Sequence, residues 1–142
     1  MKIRNFKDND AGVICKIIKE NNREIASEFY PKKVIEYWNN KLITSEHISR
    51  KVNNRRKLVL ENKGRVIGYV CFDKNILKML FIDKRFHNKG FGTKLVLLAE
   101  KIIFRNNYSK IIAKPNINYE NFFKSLWYKK KKIVYKKTGK IK

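Results

Sequence analysis

The stretch Ile82–Asn106, IDKRFHNKGFGTKLVLLAEKIIFRN, decides the fold. An apolar run, Ile76-Leu77-Lys78-Met79-Leu80-Phe81-Ile82, leads into it and stops at the charged cluster Asp83-Lys84-Arg85. Short, apolar and bounded by charge, that run reads as a buried strand. A basic loop follows, His87-Asn88-Lys89-Gly90-Phe91-Gly92-Thr93. Beyond it Leu95, Leu98, Ala99, Ile102 and Ile103 fall at helical spacing, which predicts a helix of about three to four turns. The order is strand, glycine loop, helix N-terminus. The first N–H groups of a helix have no intrahelical partner, and the aligned peptide dipoles make that end partly positive. Glycines let the backbone turn sharply and approach a ligand closely. Such a loop suits a phosphate group.

Two phosphate loops are excluded by their endings. A P-loop requires Gly-Lys-Ser/Thr, which is missing. A dinucleotide-binding fingerprint requires a third glycine or alanine, where Leu95 stands. The pattern that fits is Gln/Arg-x-x-Gly-x-Gly/Ala, with His87, Gly90 and Gly92 in the fixed places. With these residues the loop resembles that of the GNAT superfamily of acyl-CoA-dependent N-acyltransferases, whose loop amides hold the pyrophosphate of coenzyme A. His87 replaces the usual Gln or Arg, at a position that acts mostly through its backbone.

The chain outside the loop agrees with this resemblance. Lys2–Phe6 alternates as a first strand, and Asp8-Asn9-Asp10 supplies capping side chains for a helix carrying Val13, Ile14, Ile17 and Ile18. Glu24–Phe29 reads as a further turn or a continued helix. Pro31 starts a second helix with Val34, Ile35 and Trp38 on its buried face, and Ser45–Ser49 is helical or irregular. Lys57–Glu61 and Arg65–Phe72 flank a hairpin turn at Asn62-Lys63-Gly64, and with the strand before the loop they make an antiparallel meander. After the long helix come a strand at Lys110–Lys114 and a helix from Asn118, with Phe122, Phe123, Leu126 and Trp127 as its apolar positions. A last strand spans Lys132-Ile133-Val134-Tyr135, and Thr138-Gly139 is a turn. The end, Thr138-Gly139-Lys140-Ile141-Lys142, is too short for a full final strand, which leaves an edge that a partner strand can cover.

The element order is that of the superfamily over nearly the whole chain. The fold class expected is α/β (α+β): one GNAT domain over residues 1–142, with a central, mostly antiparallel mixed sheet of six to seven strands and about four helices. The second half of the signature runs from Asn116 to Tyr128, NINYENFFKSLWY, with Asn116 in the asparagine place and Tyr128 in the terminal aromatic place. Two residues depart from the pattern. Phe123 stands where many members carry a tyrosine proposed to protonate the leaving thiolate. Trp127 stands where glycine is usual.

The resemblance implies direct attack of an amine on the thioester of acetyl-CoA, with acetyl-CoA as the acyl donor and no metal. It implies that the open backbone at Phe81 and Ile82 pairs with the pantetheine arm. His87, Asn88, Lys89, Gly90, Phe91, Gly92 and Thr93 would take the pyrophosphate, and Asn116 and Phe123 would lie along the coenzyme. Asn116 also reads as a strand-end turn residue beside Pro115. No catalytic acid or base is assigned. Lys78 occupies a region where some members place an acidic base. Glu28 and Tyr30 read rather as surface residues, and Tyr119 and Tyr128 are phenols with unsuitable helical directions.

Composition bounds the remaining classes. A chain of 142 residues with 43% hydrophobic and 13% aromatic content can bury roughly 70% of its unfolded surface. No apolar run approaches the ~20 residues of a membrane span, and Met1-Lys2-Ile3-Arg4 opens no signal-peptide apolar region. A cytoplasmic protein without membrane partners is expected, as a monomer or homodimer. Cys15 and Cys71, and His47 and His87, show no metal-ligand spacing. Cys71 reads as a small buried strand residue rather than a nucleophile.

Lys and Arg total 35 against 12 Asp and Glu, a formal charge of +23. Such a field attracts anions and repels cations. It suits coenzyme A, nucleic acid or an acidic protein face. It is equally the composition of a chain rich in Lys, Asn and Ile throughout. Polyamine and aminoglycoside acceptors are disfavoured by repulsion. An amine-bearing small molecule, a peptide N-terminus or an aminoacyl-tRNA remain as acceptors, with RNA contact drawn from charge alone. The run Lys129–Lys132 is either an RNA-binding cluster or a solvated edge that blocks strand pairing. A catalytically weak GNAT-fold module that binds acyl-CoA or nucleic acid is the alternative to an enzyme.

Overall fold

The computed structural model describes residues 1–132 and 134–139. One mixed sheet of seven strands runs through it, in the order β1-β2-β3-β4-β5-β7-β6. The strands are β1 Lys2–Asn5, β2 Arg55–Asn62, β3 Arg65–Asp73, β4 Ile76–Ile82, β5 Lys110–Ala113, β6 Lys129–Lys131 and β7 Val134–Thr138. The helices are α1 Ala11–Glu24, α2 Lys32–Tyr37, α3 Ser45–Ser49, α4 Phe91–Arg105 and α5 Glu120–Ser125. This is the α/β architecture expected, with five helices rather than about four because Ser45–Ser49 forms a true turn of helix. Thr44 caps it by accepting from the His47 N–H at 3.2 Å. Among the described residues no helix is long and apolar enough to cross a membrane.

Alternation along the central strands feeds two cores. Leu58, Leu60, Val70, Phe72, Leu80 and Ile82 face α4 and α5, where they meet Leu95, Val96, Ala99, Ile103 and Phe123. Val59, Tyr69, Cys71 and Phe81 face the other side and pack with Ile14, Ile17 and Ile18 of α1. Cys71 is buried at 2% exposure, and burial pushes its thiol pKa up, the reverse of what a nucleophile needs.

The opening in this sheet comes from a register shift. Cys71 pairs with Met79 and Phe72 with Leu77, so Lys78 is an extra, unpaired residue in β4. A bulge of this kind bends its strand. β4 pairs with β5 in parallel only at Ile76–Ile112 and Leu77–Ala113, before the bulge. Beyond it the two strands splay. Pro115, just after β5, has no N–H with which to extend the ladder.

The C-terminal segment differs from its sequence reading. The single strand expected over Lys132–Tyr135 is instead a hairpin, β6 and β7, with Lys132 at φ +59° on its turn. Ile133 and Lys140–Lys142 lie outside the described residues. Thr138 is no turn: it ends β7, paired with Lys110. The edge at this end of the sheet is β6, and its Lys129–Lys131 are all exposed. Three adjacent ammonium groups make it a poor template for a further strand.

Trp127 is not an apolar position of α5; it is 81% exposed. It lies past the helix end at φ +73°. The Trp127 N–H donates to Lys124 O and the Tyr128 N–H to Phe123 O, each at 3.1 Å. That is the hydrogen-bond pair of a Schellman cap, whose left-handed residue is ordinarily glycine. Phe123 and Tyr128 supply its hydrophobic contact, edge to face at 5.1 Å. A side chain in this conformation costs about 1 kcal/mol. Trp127→Gly should therefore raise unfolding stability by about 1 kcal/mol in urea titrations. A loss of stability would mean that the indole makes contacts its exposure does not suggest.

Candidate active site

The site is built where β4 opens and α4 begins. Asp83 ends the strand: its N–H donates to Ile67 O at 2.7 Å, and its carboxylate accepts from the Arg85 N–H at 3.0 Å. The Arg85 guanidinium beside it holds the Asp83 carboxyl below the usual carboxylate range. In an antiparallel ladder, backbone groups alternate in direction. With Asp83 turned toward β3, Phe81 also faces β3, while Leu80 and Ile82 face the gap. The open edge assigned to Phe81 and Ile82 is thus displaced by one residue. Phe81 presents its ring to the α1 side instead, edge to face with Tyr119 at 6.1 Å.

The Ile82 carbonyl is already held. It accepts from Asn21 Nδ2 at 2.9 Å and from His87 Nε2 at 2.7 Å. The His87 ring therefore ties the loop to the strand it left. Asn21, on α1, is 1% exposed. It also donates to Ile17 O at 2.9 Å and accepts from the Tyr119 hydroxyl at 3.3 Å. Burial raises the Tyr119 pKa, which keeps the phenol protonated. Asn21 was not a sequence candidate. Its partners lie 61 and 98 residues away, and an Asn in the α1 stripe was the only available signal.

The loop itself presents donors. Gly90 sits at φ +83° and Asn88 at φ +61°, and Lys94 N–H to Gly90 O at 3.2 Å is the first helical bond. Among the described residues, the N–H groups from Asn88 to Thr93 donate to no backbone or side-chain acceptor. Asn88 and the residues from Gly90 to Thr93 border a cavity of about 460 Å³, lined also by Leu80, Ile82, Phe86, Asn118 and Phe122. Lys89 and Lys94, adjacent in sequence to its lining residues, are exposed. The fit to phosphate is direct: unpaired donors, a positive helix end and nearby cations.

A second, smaller hollow lies in the splay between β4 and β5. Leu77, Lys78, Leu80, Lys114, Asn116, Tyr119 and Phe123 are among its walls. Leu80 and Tyr119 border both spaces. The structure thus brings Asn116 and Phe123 together here, apart from the loop residues His87–Thr93. Phe123 is 4% exposed and stacks edge to face on Phe122 at 5.3 Å. No carboxylate lines either space among the described residues. Glu28 is exposed. Tyr30 is engaged: its hydroxyl accepts from the Ile117 N–H at 3.0 Å. Tyr128 is also engaged, donating to buried Glu100 at 2.9 Å. Among the described residues no group of three or more His, Cys, Asp or Glu is placed to hold a metal.

Comparison with known proteins agrees with the fold. The model of the acetyltransferase (GNAT) family matches residues 18–126. No relative was found among curated proteins. Among solved structures, a GCN5-related N-acetyltransferase from Rhodopseudomonas palustris aligns with TM-score 0.90 at 16% identity, over 97% of this chain and 95% of that one. The PaiA N-acetyltransferase of Thermoplasma acidophilum, solved in complex with coenzyme A, aligns with TM-score 0.84 at 18% identity, over 97% and 98%. A ribosomal-protein-alanine N-acetyltransferase from Brucella melitensis aligns with TM-score 0.72 at 15% identity, over 98% and 100%. With more than half its length matched by the family model, the chain belongs to the acetyltransferase (GNAT) family.

Proposed function

We propose that this protein transfers the acetyl group of acetyl-CoA to a primary amine. One observation carries the reading: an open β4 edge runs straight into a loop whose N–H groups, from Asn88 to Thr93, have no partner among the described residues. The loop would hold the pyrophosphate, with Lys89 and Lys94 adding charge. The pantetheine arm would lie along Leu80 and Ile82, with its thioester in the splay near Asn116, Tyr119 and Phe123. The amine nitrogen attacks the thioester carbonyl, the C–N bond forms and the C–S bond breaks. The amine loses a proton and the thiolate gains one. Holding both reactants in the splay supplies most of the acceleration.

Among the described residues no carboxylate lines the splay, and in this reading water takes the amine proton. A thiol of ordinary pKa ~8.5 is a tolerable leaving group near neutral pH. A missing general acid typically costs about 10²–10⁴-fold, which leaves a slow enzyme. If another group or water protonates the thiolate, Phe123→Tyr leaves the rate of CoA-thiol release equal or higher. A large loss of rate with coenzyme binding intact would give the Phe123 ring a packing role in catalysis.

The charge of +23 guides the choice of acceptor. It repels polycationic amines and favours an amine on an anionic carrier: an aminoacyl-tRNA, or a peptide N-terminus in an RNA setting. The neighbour from Brucella melitensis is named for a ribosomal-protein alanine acceptor. The test is CoA-thiol release from acetyl-CoA across free amines, peptides and aminoacyl-tRNAs. Turnover with none of them, while acetyl-CoA still binds, would favour the second reading of a non-catalytic coenzyme-binding module. Phe123 in place of a phenol is the observation on that side.

A further inference from the structure

From Asn121 to Lys142 the sequence contains no Asp or Glu. Trp127 stands in this segment, on the cap that joins α5 to β6, and is 81% exposed. Among the described residues its ring joins no aromatic or cation–π pair. Its φ of +73° is one that glycine adopts freely and a tryptophan does not. The fold therefore gains nothing from an indole at this position and is strained by its Cβ. Such an outlier is a pointer to function. Cations stand around it. β6 follows at once, with Lys129, Lys130 and Lys131 all exposed. Lys130 pairs with Glu120 at 3.4 Å. Lys129 and Lys131 lie on the opposite face of the strand and have no acidic partner among the described residues.

An exposed π face beside unpaired cations fits one ligand chemistry. Bases of a single strand stack on aromatic rings, and their phosphates take the ammonium groups. A duplex offers no free base to the ring. A membrane surface also attracts lysines and indoles, but its binding scales with buried apolar area. Here that area is one ring, because Leu126 is half-buried and Tyr128 buried. The register then sets a direction. Lys130 lies opposite Tyr135, and Tyr135 opposite Ala113. Lys131 is therefore level with Lys114, a wall of the splay, two strand spacings or about 10 Å away. We propose that Trp127 and the lysines of β6 bind the unpaired end of a nucleic acid, a base stacked on the indole and the strand running along β6 toward the splay. Delivery of an amine on that end rests on the acetyl-transfer reading; the binding itself does not.

A labelled single-stranded RNA of about ten nucleotides tests it, with its duplex and inorganic polyphosphate as comparisons. Polyphosphate has the charge and no bases. The parent should bind the single strand, with quenching of tryptophan fluorescence and a steep loss of affinity with salt. Trp127→Gly should weaken single-strand binding by about tenfold and leave duplex and polyphosphate within about twofold. Misfolding cannot account for that loss, since glycine suits the cap. Trp127→Phe should keep most of the affinity, because a phenyl ring still stacks. Lys129→Gln with Lys131→Gln should weaken all three probes and lower the salt slope by about one to one and a half. Parental RNA affinity in Trp127→Gly, equal losses for RNA and polyphosphate, or no RNA binding at low salt would each overturn the proposal. Loss of binding to anionic phospholipid vesicles in Trp127→Gly, with RNA binding unchanged, would overturn it in favour of a membrane surface. Coenzyme binding is read separately, by calorimetry without RNA. If RNA binds and CoA does not, the transfer reading falls alone; if CoA binds and RNA does not, only this proposal falls.

Discussion

Gly92→Glu should abolish the rise in melting temperature that acetyl-CoA is expected to give the parent protein. A Cβ at position 92 meets Phe122 Cζ at 3.3 Å and Cε1 at 3.4 Å, with Ile82 Cγ1 at 3.7 Å. The ring must give by a few tenths of an ångström, and Phe122 is only half-buried, so it can. The rest of the glutamate then has to extend into the space before the loop. There its carboxylate would compete for the N–H groups proposed to hold the pyrophosphate, and would repel it. Steric and electrostatic effects add, and the affinity for acetyl-CoA should fall by at least about a hundredfold. The ligand-free fold should survive, because an acid in the first turn of a helix suits its dipole. Gly92→Ala separates the contributions, since it adds the contact without the charge and should cost only severalfold. Isothermal calorimetry reads both variants. A glutamate variant that still binds acetyl-CoA with parental affinity would remove the α4 N-terminus as the phosphate site.

The strand, loop and helix at this site were legible in the chain because their signals are local. Periodicity placed Leu95, Ala99 and Ile103 on the buried face of α4, and all three are fully buried. The spacing of His87, Gly90 and Gly92 located the turn, and Gly90 has the left-handed φ that only glycine adopts freely. What stayed hidden depends on pairing between distant segments. The bulge at Lys78 opens the sheet, yet nothing in Leu77-Lys78-Met79 distinguishes it from a regular strand; the register with β3 makes it. The same bulge and register decide that Leu80 and Ile82, not Phe81, face the gap. The grip of Asn21 on Ile82 joins α1 to β4, a closure that local pattern cannot reveal. Trp127 was misread as apolar core because spacing counts residues and does not see the helix end two positions earlier.

Glu100→Ala should cost about 3–5 kcal/mol of unfolding stability, the largest loss predicted for any single change in α4. Glu100 sits in the apolar stripe of that helix, one turn after Val96 and one before Ile103, and is 5% exposed. An acid in the middle of a buried stripe is a sequence signal for a partner, and the structure supplies two. Tyr128 donates to Oε2 at 2.9 Å, and Lys137 Nζ lies 2.9 Å from Oε1 and 3.1 Å from Oε2. Lys137 also lies over the Tyr128 ring, 5.6 Å from its centroid. The triad ties α4 to the end of the α5 cap and to β7, which pairs with β5. It therefore fixes the far wall of the splay against the helix that carries the loop. Removing the carboxylate leaves the Lys137 side chain, 18% exposed, with its charge uncompensated, and the Tyr128 hydroxyl without an acceptor. Glu100→Gln keeps the hydrogen-bond acceptor for Tyr128 and loses the charge, so its cost should be smaller. Combining Glu100→Met with Lys137→Met and Tyr128→Phe should recover most of the loss, because no charge or hydroxyl then remains unpaired. Chemical denaturation of the single and combined variants measures the coupling. Additive losses across the three sites would show that the groups do not act as a unit, and that the hairpin is held to α4 by its apolar contacts alone.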